Sequence, residues 1–300
     1  MAEDYSPVAA KPSAFLADVA PTQDHIVDAL IKERCPSFVG HWSWPVTRPL
    51  LYSLLGYDRA RRMADHLMTL NGNDSFDHLS EQLSFDLTLE SIDRMPKTGR
   101  LVVAANHPTG LADGVAVWEA LKRVRRDIVF FANADAMRVN PRFGDTVIPV
   151  EWVLEKRSPA KTRETLKLAK QAFAEEKCVV IFPSGKLAKK VDGVLTEQEW
   201  FPTVVSLARK HKAPVQPLSL KAQNSWLYYF FSRVNGELRD ITLFHELLNK
   251  RGSKFEMTFG PLISPNQLDG DATEITLALR EYVAQHLSGQ PALTFDPSAD

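Results

Sequence analysis

The sequence predicts an α/β fold, a mainly parallel central sheet flanked by helices and preceded by an N-terminal helical extension. Three observations carry that reading. From residue 101 onward, short apolar runs of strand character alternate with segments of helical periodicity, the pattern that lays helices over a parallel sheet. The runs 101–105 (LVVAA) and 178–182 (CVVIF) are apolar throughout, as buried strands are. Between them, 160–176 sets Leu166, Ala169, Ala172 and Phe173 at the spacing of one helical face.

Taken in order, residues 1–22, rich in Ala, Pro, Ser and Asp, read as a flexible leader. Residues 23–80 form the helical extension. A helical pattern over 24–34 ends at Pro36. The segment 38–57 is aromatic (Trp42, Trp44, Tyr52, Tyr57) and interrupted by Pro45 and Pro49. A helix follows over 58–70, with Arg59, Arg61 and Arg62 on its polar side. The main domain is expected over 81–290. It opens with a half-exposed strand, 85–92, where Phe85, Leu87 and Leu89 alternate with Asp86, Thr88 and Glu90, and a Pro-Lys-Thr-Gly turn leads to the strand 101–105. Beyond it come a helix at 114–123, strands at 128–132 and 146–150, and the helix 160–176. The strand 178–182 runs into Pro183-Ser184-Gly185-Lys186. A helix at 201–212, strands at 215–220 and 254–259, a helix at 274–287 and a tail at 291–300 complete the chain.

Composition narrows the function. Over 300 residues, 36 Lys and Arg stand against 37 Asp and Glu, a net charge of -1 that argues against nucleic acid as a partner held by bulk charge. Cys35 and Cys178 are the only cysteines, too few for a disulfide framework, so a reducing cytoplasm is expected. No run of about 18 apolar residues is present, and membrane contact is expected to be peripheral. The P-loop and G-x-G-x-x-G patterns are absent, His245-Glu246 is followed by Asn249 rather than a histidine, and no Cys/His cluster suggests a metal.

The strand 101–105 delivers His107 and then Asp113 into a turn punctuated by Pro108 and Gly110. A histidine braced by a carboxylate at a strand end is the arrangement a general base needs, because the carboxylate fixes the ring tautomer and stabilises the imidazolium. With no G-x-S-x-G elbow to supply a nucleophilic serine, the simplest use of the pair is to deprotonate a hydroxyl of the substrate.

At this point 83–262 resembles the glycerolipid acyltransferase family, the lysophosphatidate acyltransferase-like enzymes, and within it the hemolysin-type, lyso-lipid O-acyltransferase branch. The family's first motif, Asn-His followed by Asp, corresponds to Asn106, His107 and Asp113, although five residues rather than the usual four separate His and Asp. Phe182-Pro183-Ser184-Gly185-Lys186-Leu187 resembles its Phe-Pro-Glu-Gly-Thr-Arg motif, with Ser184 in place of Glu, Lys186 in place of Thr and Leu187 in place of Arg. The region 133–150 resembles the second motif, with Arg157 as the arginine beyond it, and 213–217 resembles the fourth, whose Pro217 suits a strand edge or end.

The resemblance implies a glycerol-3-phosphate acyltransferase-like fold and direct transfer of an acyl group from acyl-CoA or acyl carrier protein to a lyso-lipid. His107 would be the base and Asp113 its support. Asn106, Thr109, Gly110, Ser184, Gly185, Lys186 and Arg157 would hold the acceptor, with Lys189 and Lys190 adding charge. Backbone N–H groups over 109–111 are candidate oxyanion donors. No metal and no further cofactor are implied. Loss of the motif's Glu and Arg makes an amino-acid-containing lyso-lipid a competitor to a phosphate-bearing one, since an ammonium cannot make the bidentate fork of an arginine. The basic clusters 122–126 and 156–157 could meet an acidic carrier. The aromatic segments 42–57 and 226–231 could touch lipid, which implies a cytoplasmic protein peripheral on the inner face of the membrane. Two alternatives stand: a lipid hydrolase with Ser184 as nucleophile, and a non-catalytic lipid-binding protein.

Overall fold

The computed structural model describes residues 13–16 and 24–298. Most of the expected leader therefore lies outside the described residues. Within it, Ala14 donates its N–H to Glu164 at 2.6 Å, and Phe15 is buried.

Five helices come first: α1 (Ile26–Arg34), α2 (Pro36–Val39), α3 (Trp44–Leu55), α4 (Tyr57–Leu67) and α5 (Gly72–Leu83). Pro36 follows the last residue of α1 but also opens α2, in a first turn where its missing N–H has no intrahelical acceptor to lose. The prolines of the aromatic segment do not interrupt it either. Pro45 lies in the first turn of α3, and Pro49 is carried inside the helix at the loss of a backbone bond.

Strands and helices then alternate: β1 (Asp86–Glu90), β2 (Leu101–Ala105), α6 (Leu111–Leu121), β3 (Ile128–Asn133), α7 (Asp135–Val139), β4 (Val147–Val150), α8 (Pro159–Ala174) and β5 (Cys178–Ile181). A small hairpin, β6 (Lys189–Val191) and β7 (Val194–Thr196), precedes α9 (Thr203–His211) and β8 (Val215–Lys221). The chain continues through α10 (Trp226–Val234), α11 (Gly236–Leu248), β9 (Lys254–Phe259) and α12 (Ala272–Glu281). The closing helix ends earlier than its apolar periodicity suggests, because the backbone widens into a π turn over Tyr282–His286.

The main sheet has seven strands in the order β1-β9-β8-β2-β5-β3-β4. Every neighbouring pair is parallel except β8 and β9. Strand β2 lies in the middle, in register with β5 on one side and β8 on the other. Its period of two divides its side chains between the two faces. Leu101, Val103 and Ala105 enter a core with α5 and α6, whereas Val102 and Ala104 enter a second core with α8, α9 and α12. All five are fully buried, so the strand that carries His107 is anchored from both sides.

Pro217 was expected at an edge, yet it sits within β8, a central strand, opposite Ala104 of β2. The ladder to β9 is broken there. Val215 exchanges bonds with Ile263, regular pairing resumes at Leu218 with Phe259, and between them Pro217 only accepts, from the N–H of Gly260. A missing donor is harmless at such an interruption.

The elements without a clear sequence signal are α5, α7, the β6–β7 hairpin, α10 and α11. Helix α10 is capped by Ser225, and α11 by Asn235. Helix α11 packs against α1, α3, α4 and α6, tying the N-terminal helices to the sheet layer. Leu67, Leu79 and Leu83 share one cluster with β2 and α6, so the cores on either side of residue 80 are continuous. Among the described residues, no helix is long and apolar enough to cross a membrane.

Trp118 of α6 is fully buried, stacks on Phe76 at 5.1 Å and donates its indole N–H to Asp77 at 2.9 Å. Trp118→Ala is expected to cost about 3–5 kcal/mol, read as a lower urea midpoint with unchanged slope.

Candidate active site

The turn between β2 and α6 is organised by a buried carboxylate. Asp113, with no exposed surface, occupies the third position of α6. Its Oδ2 accepts the N–H of Thr109 at 2.8 Å and of Gly110 at 2.9 Å, while Oδ1 accepts the Thr109 hydroxyl. A carboxylate in the first turn also lies at the positive end of the helix dipole. The same Oδ2 is 2.9 Å from Nδ1 of His107. The ring's N–H direction is off the straight line to that oxygen, and no other acceptor reaches Nδ1. Nδ1 is buried, so the small exposure of the ring belongs to its other edge, where Nε2 lies. The opposite face of the imidazole is set by Phe182, stacked at 4.3 Å.

The longer spacing between His107 and Asp113 is absorbed at Gly110, whose φ of +91° and ψ of -127° are open to glycine alone. A Cβ there would also stand 2.9 Å from a Leu187 methyl. The acceptor-side residues divide sharply. Asn106 has both amide atoms bonded to the main chain of Leu220, at 2.7 and 2.8 Å, which stitches the end of β2 to β8 and gives the side chain a structural task. Thr109 is buried and supports Asp113. Thr109 and Gly110 N–H groups are both taken by that carboxylate, which removes them as oxyanion donors. The first turn of α6, whose N–H groups have no intrahelical acceptor, remains.

In the 182–187 turn, Gly185 has φ +58°, and a Cβ on it would lie 2.1 Å from the Trp152 ring. It is there for close approach. Ser184 has no exposed surface and donates its hydroxyl to the Lys186 carbonyl at 2.8 Å, so it is not presented as a nucleophile. Lys186 is exposed and lines a cleft. Arg157 is exposed too, bonds the Glu151 carbonyl at 3.0 Å and lies outside that cleft's lining.

The basic cluster 122–126 is engaged within the fold. Lys122 and Arg126 pair with Asp77, Arg123 pairs with Glu119, and buried Arg125 pairs with Asp127 and holds three carbonyls. Lys156 likewise pairs with Glu33. Both cysteines are buried, and burial pushes each thiol up to about 12, far from a thiolate nucleophile. Among the described residues, no group of His, Cys, Asp and Glu is arranged to hold a metal.

Sequence reasoning missed Glu197, which leads out of the β6–β7 hairpin. It is 6 % exposed, accepts the backbone N–H of His107 at 3.0 Å and the indole N–H of Trp200 at 3.0 Å, and interacts with Ser184. Burial pushes its carboxyl above the usual range, against the pull of those donors. A lone Glu 90 residues from His107 carries no signal of this in the sequence.

With the geometry in place, the comparisons can be stated. The family model described as acyltransferase matches residues 86–221. The match runs from the first residue of β1 to the last of β8, so it takes in the whole turn at His107 and both faces of the central strand. The chain is 23% identical over 209 residues to the lyso-glycine lipid O-acyltransferase of Phocaeicola vulgatus, covering 67% of this chain and 73% of that one. To the enzyme of the same name from Bacteroides thetaiotaomicron it is 24% identical over 218 residues, 71% of this chain and 78% of the relative. Among solved structures, the 1-acyl-sn-glycerophosphate acyltransferase of Thermotoga maritima aligns with a TM-score of 0.46 and 13% identity, over 89% of this chain and 99% of that one.

Glu197→Ala strands two buried N–H donors and is expected to lose about 1–3 kcal/mol for each. A raised carboxyl favours the neutral form in the fold. Its contribution is thus complete below the ordinary carboxylate value and lost as pH rises through the folded one. Glu197→Gln should flatten the pH dependence of stability just above the ordinary carboxylate range, measured by urea titration.

Proposed function

We propose that this acyltransferase moves a fatty acyl group from a thioester, acyl-CoA or acyl carrier protein, to the free hydroxyl of a lyso-lipid. The observation that carries the reading is the His107–Asp113 pair at the carboxyl end of the central strand of an acyltransferase domain. Nε2 of His107 takes the hydroxyl proton as the oxygen attacks the thioester carbonyl. The tetrahedral intermediate then collapses with the thiol as leaving group, which recovers the proton from the imidazolium. Asp113 balances the charge of that imidazolium and fixes its tautomer. The start of α6 supplies donors to the oxyanion. Transfer is direct, because Ser184 is enclosed and both thiols are held protonated. A thioester is already activated, so the step calls on no cofactor beyond its own carrier.

Two features favour an amino-acid lipid as acceptor. The Ser184-Gly185-Lys186-Leu187 segment lacks the Glu and Arg of the phosphate-associated motif, and the curated relatives are named for lyso-glycine lipid.

A peripheral seat on the inner face of the membrane fits the exposed apolar side chains. Val46, Leu50 and Leu54 recur every fourth residue along α3, with Trp42 (84% exposed) just before it, and Trp226 (76% exposed), Phe230 and Val234 do the same along α10. Of the remaining aromatics in these segments, Trp44, Tyr228 and Tyr229 are buried and Tyr52, Tyr57 and Phe231 are half-buried.

His107→Ala, assayed with lyso-glycine lipid and labelled acyl donor, is expected to lose about 10²–10⁴ in turnover while its circular dichroism is retained. Near-normal turnover would overturn the mechanism. Leu50→Asp combined with Phe230→Asp should weaken sedimentation with vesicles and spare turnover of a short-chain, water-soluble acceptor.

A further inference from the structure

A cleft of about 570 Å³ lies between the β6–β7 hairpin and the helices α10 and α11. That volume is in the usual range for a small-molecule site. Its inner wall is the segment 185–188, whose other contacts are with the turn at His107. Ala188 donates its N–H to the His107 carbonyl at 2.9 Å, and Leu187 packs where Gly110 leaves room. The cleft therefore borders the catalytic turn through one short stretch of backbone.

Its charge is one-sided in a protein whose acids and bases nearly balance. Lys186, Lys189, Lys190, Arg233 and Arg239 line it, and Asp240 is the one acidic residue in the lining. Asp240 is paired with Arg239 at 2.6 Å. The other four cations have no carboxylate partner among the described residues. This sets them apart from Arg34, Arg125, Arg138, Lys156 and Lys250, each tied to an acid. Lys190 is steered into the cleft by the ring of Tyr229, with Nζ 4.0 Å from its centroid. The buried faces of Tyr228 and Tyr229 supply the apolar part of the lining.

We propose that this cleft holds the anionic head group of the acceptor, a single carboxylate countered by Lys186, Lys189, Lys190 and Arg233. The inference rests on the lyso-lipid reading above and adds the place and chemistry of head-group recognition. One cleft wall comes from the family-matched domain and the other from α10 and α11, beyond residue 221. A common catalytic half thus meets a half free to set specificity. Three ammonium groups and one guanidinium can counter a lone carboxylate, and the relatives named for lyso-glycine lipid make that the head group to test ahead of a phosphate.

The test compares lyso-glycine lipid, its methyl ester and lysophosphatidate as acceptors, in neutral mixed micelles so that surface charge plays no part. The full chain is used, wild type and Lys190→Gln/Arg233→Gln. The wild type is expected to prefer the free acid to the ester by about tenfold or more in kcat/KM, and the double variant to lose that preference through a higher KM for the acid. Added salt should raise the wild-type KM for the acid and not for the ester. An unchanged preference in the variant overturns the proposal, as does a rise in KM for the acyl donor instead of the acceptor. A wild type that favours lysophosphatidate over the free acid overturns the carboxylate assignment. Calorimetric titration of a short-chain lyso-glycine lipid separates binding from chemistry. Binding weakened by the double substitution supports the subsite even if no transfer is seen, in which case the reaction proposed above fails alone. Equal affinity of the two proteins overturns the subsite.

Discussion

The site depends on one buried carboxylate. Asp113 has no water around it, so its charge is balanced entirely by the donors the fold aims at it: two main-chain N–H groups, a hydroxyl, the start of α6 and the edge of an imidazole. Removing water makes each of those interactions stronger and makes any missing one costly. The carboxylate therefore does two jobs with the same oxygens. It closes the turn that begins α6, and it turns His107 so that its free nitrogen faces outward. The position of the base follows from the way the helix starts.

A second layer keeps that turn from drifting. Asn106 joins the end of β2 to β8, Glu197 takes the His107 N–H, and Ala188 bonds the His107 carbonyl. The main chain of His107 is thus held from the 182–197 excursion, the segment in which the family motif is altered. Ser184, standing where the motif has a glutamate, is enclosed and interacts with Glu197, so a buried carboxylate still reaches this spot from another part of the chain. The 184–187 segment departs from the motif it resembles, while the backbone of His107 keeps its bonds to Glu197 and Ala188.

The outer surface follows a different logic. Lys122, Arg126, Arg138 and Lys156 are paired with acids, whereas Lys190 of the hairpin and Arg233 of α10 line a cleft beside tyrosine rings. Apolar side chains recur along one face of α3 and one of α10 without a protein partner. The hairpin lies within the matched region, whereas α3 precedes β1 and α10 follows β8.

Much of this was legible in the linear chain. Period-two and fully apolar runs located every strand of the main sheet, because side-chain alternation and burial are written locally. The turn at His107 stood out because strand, histidine, glycine and aspartate fall within a dozen residues. What stayed hidden depends on chain segments far apart in sequence. Glu197 meets His107 across 90 positions, Asn106 meets Leu220 across 114, and Pro217 is tolerated in a central strand only because the pairing with β9 lapses there. Likewise, no pattern of residues says which of many lysines will find an acid and which will be left facing a cleft. Local periodicity determined the elements and the reactive turn. Long-range packing decided which polar groups brace the site and which remain free to bind.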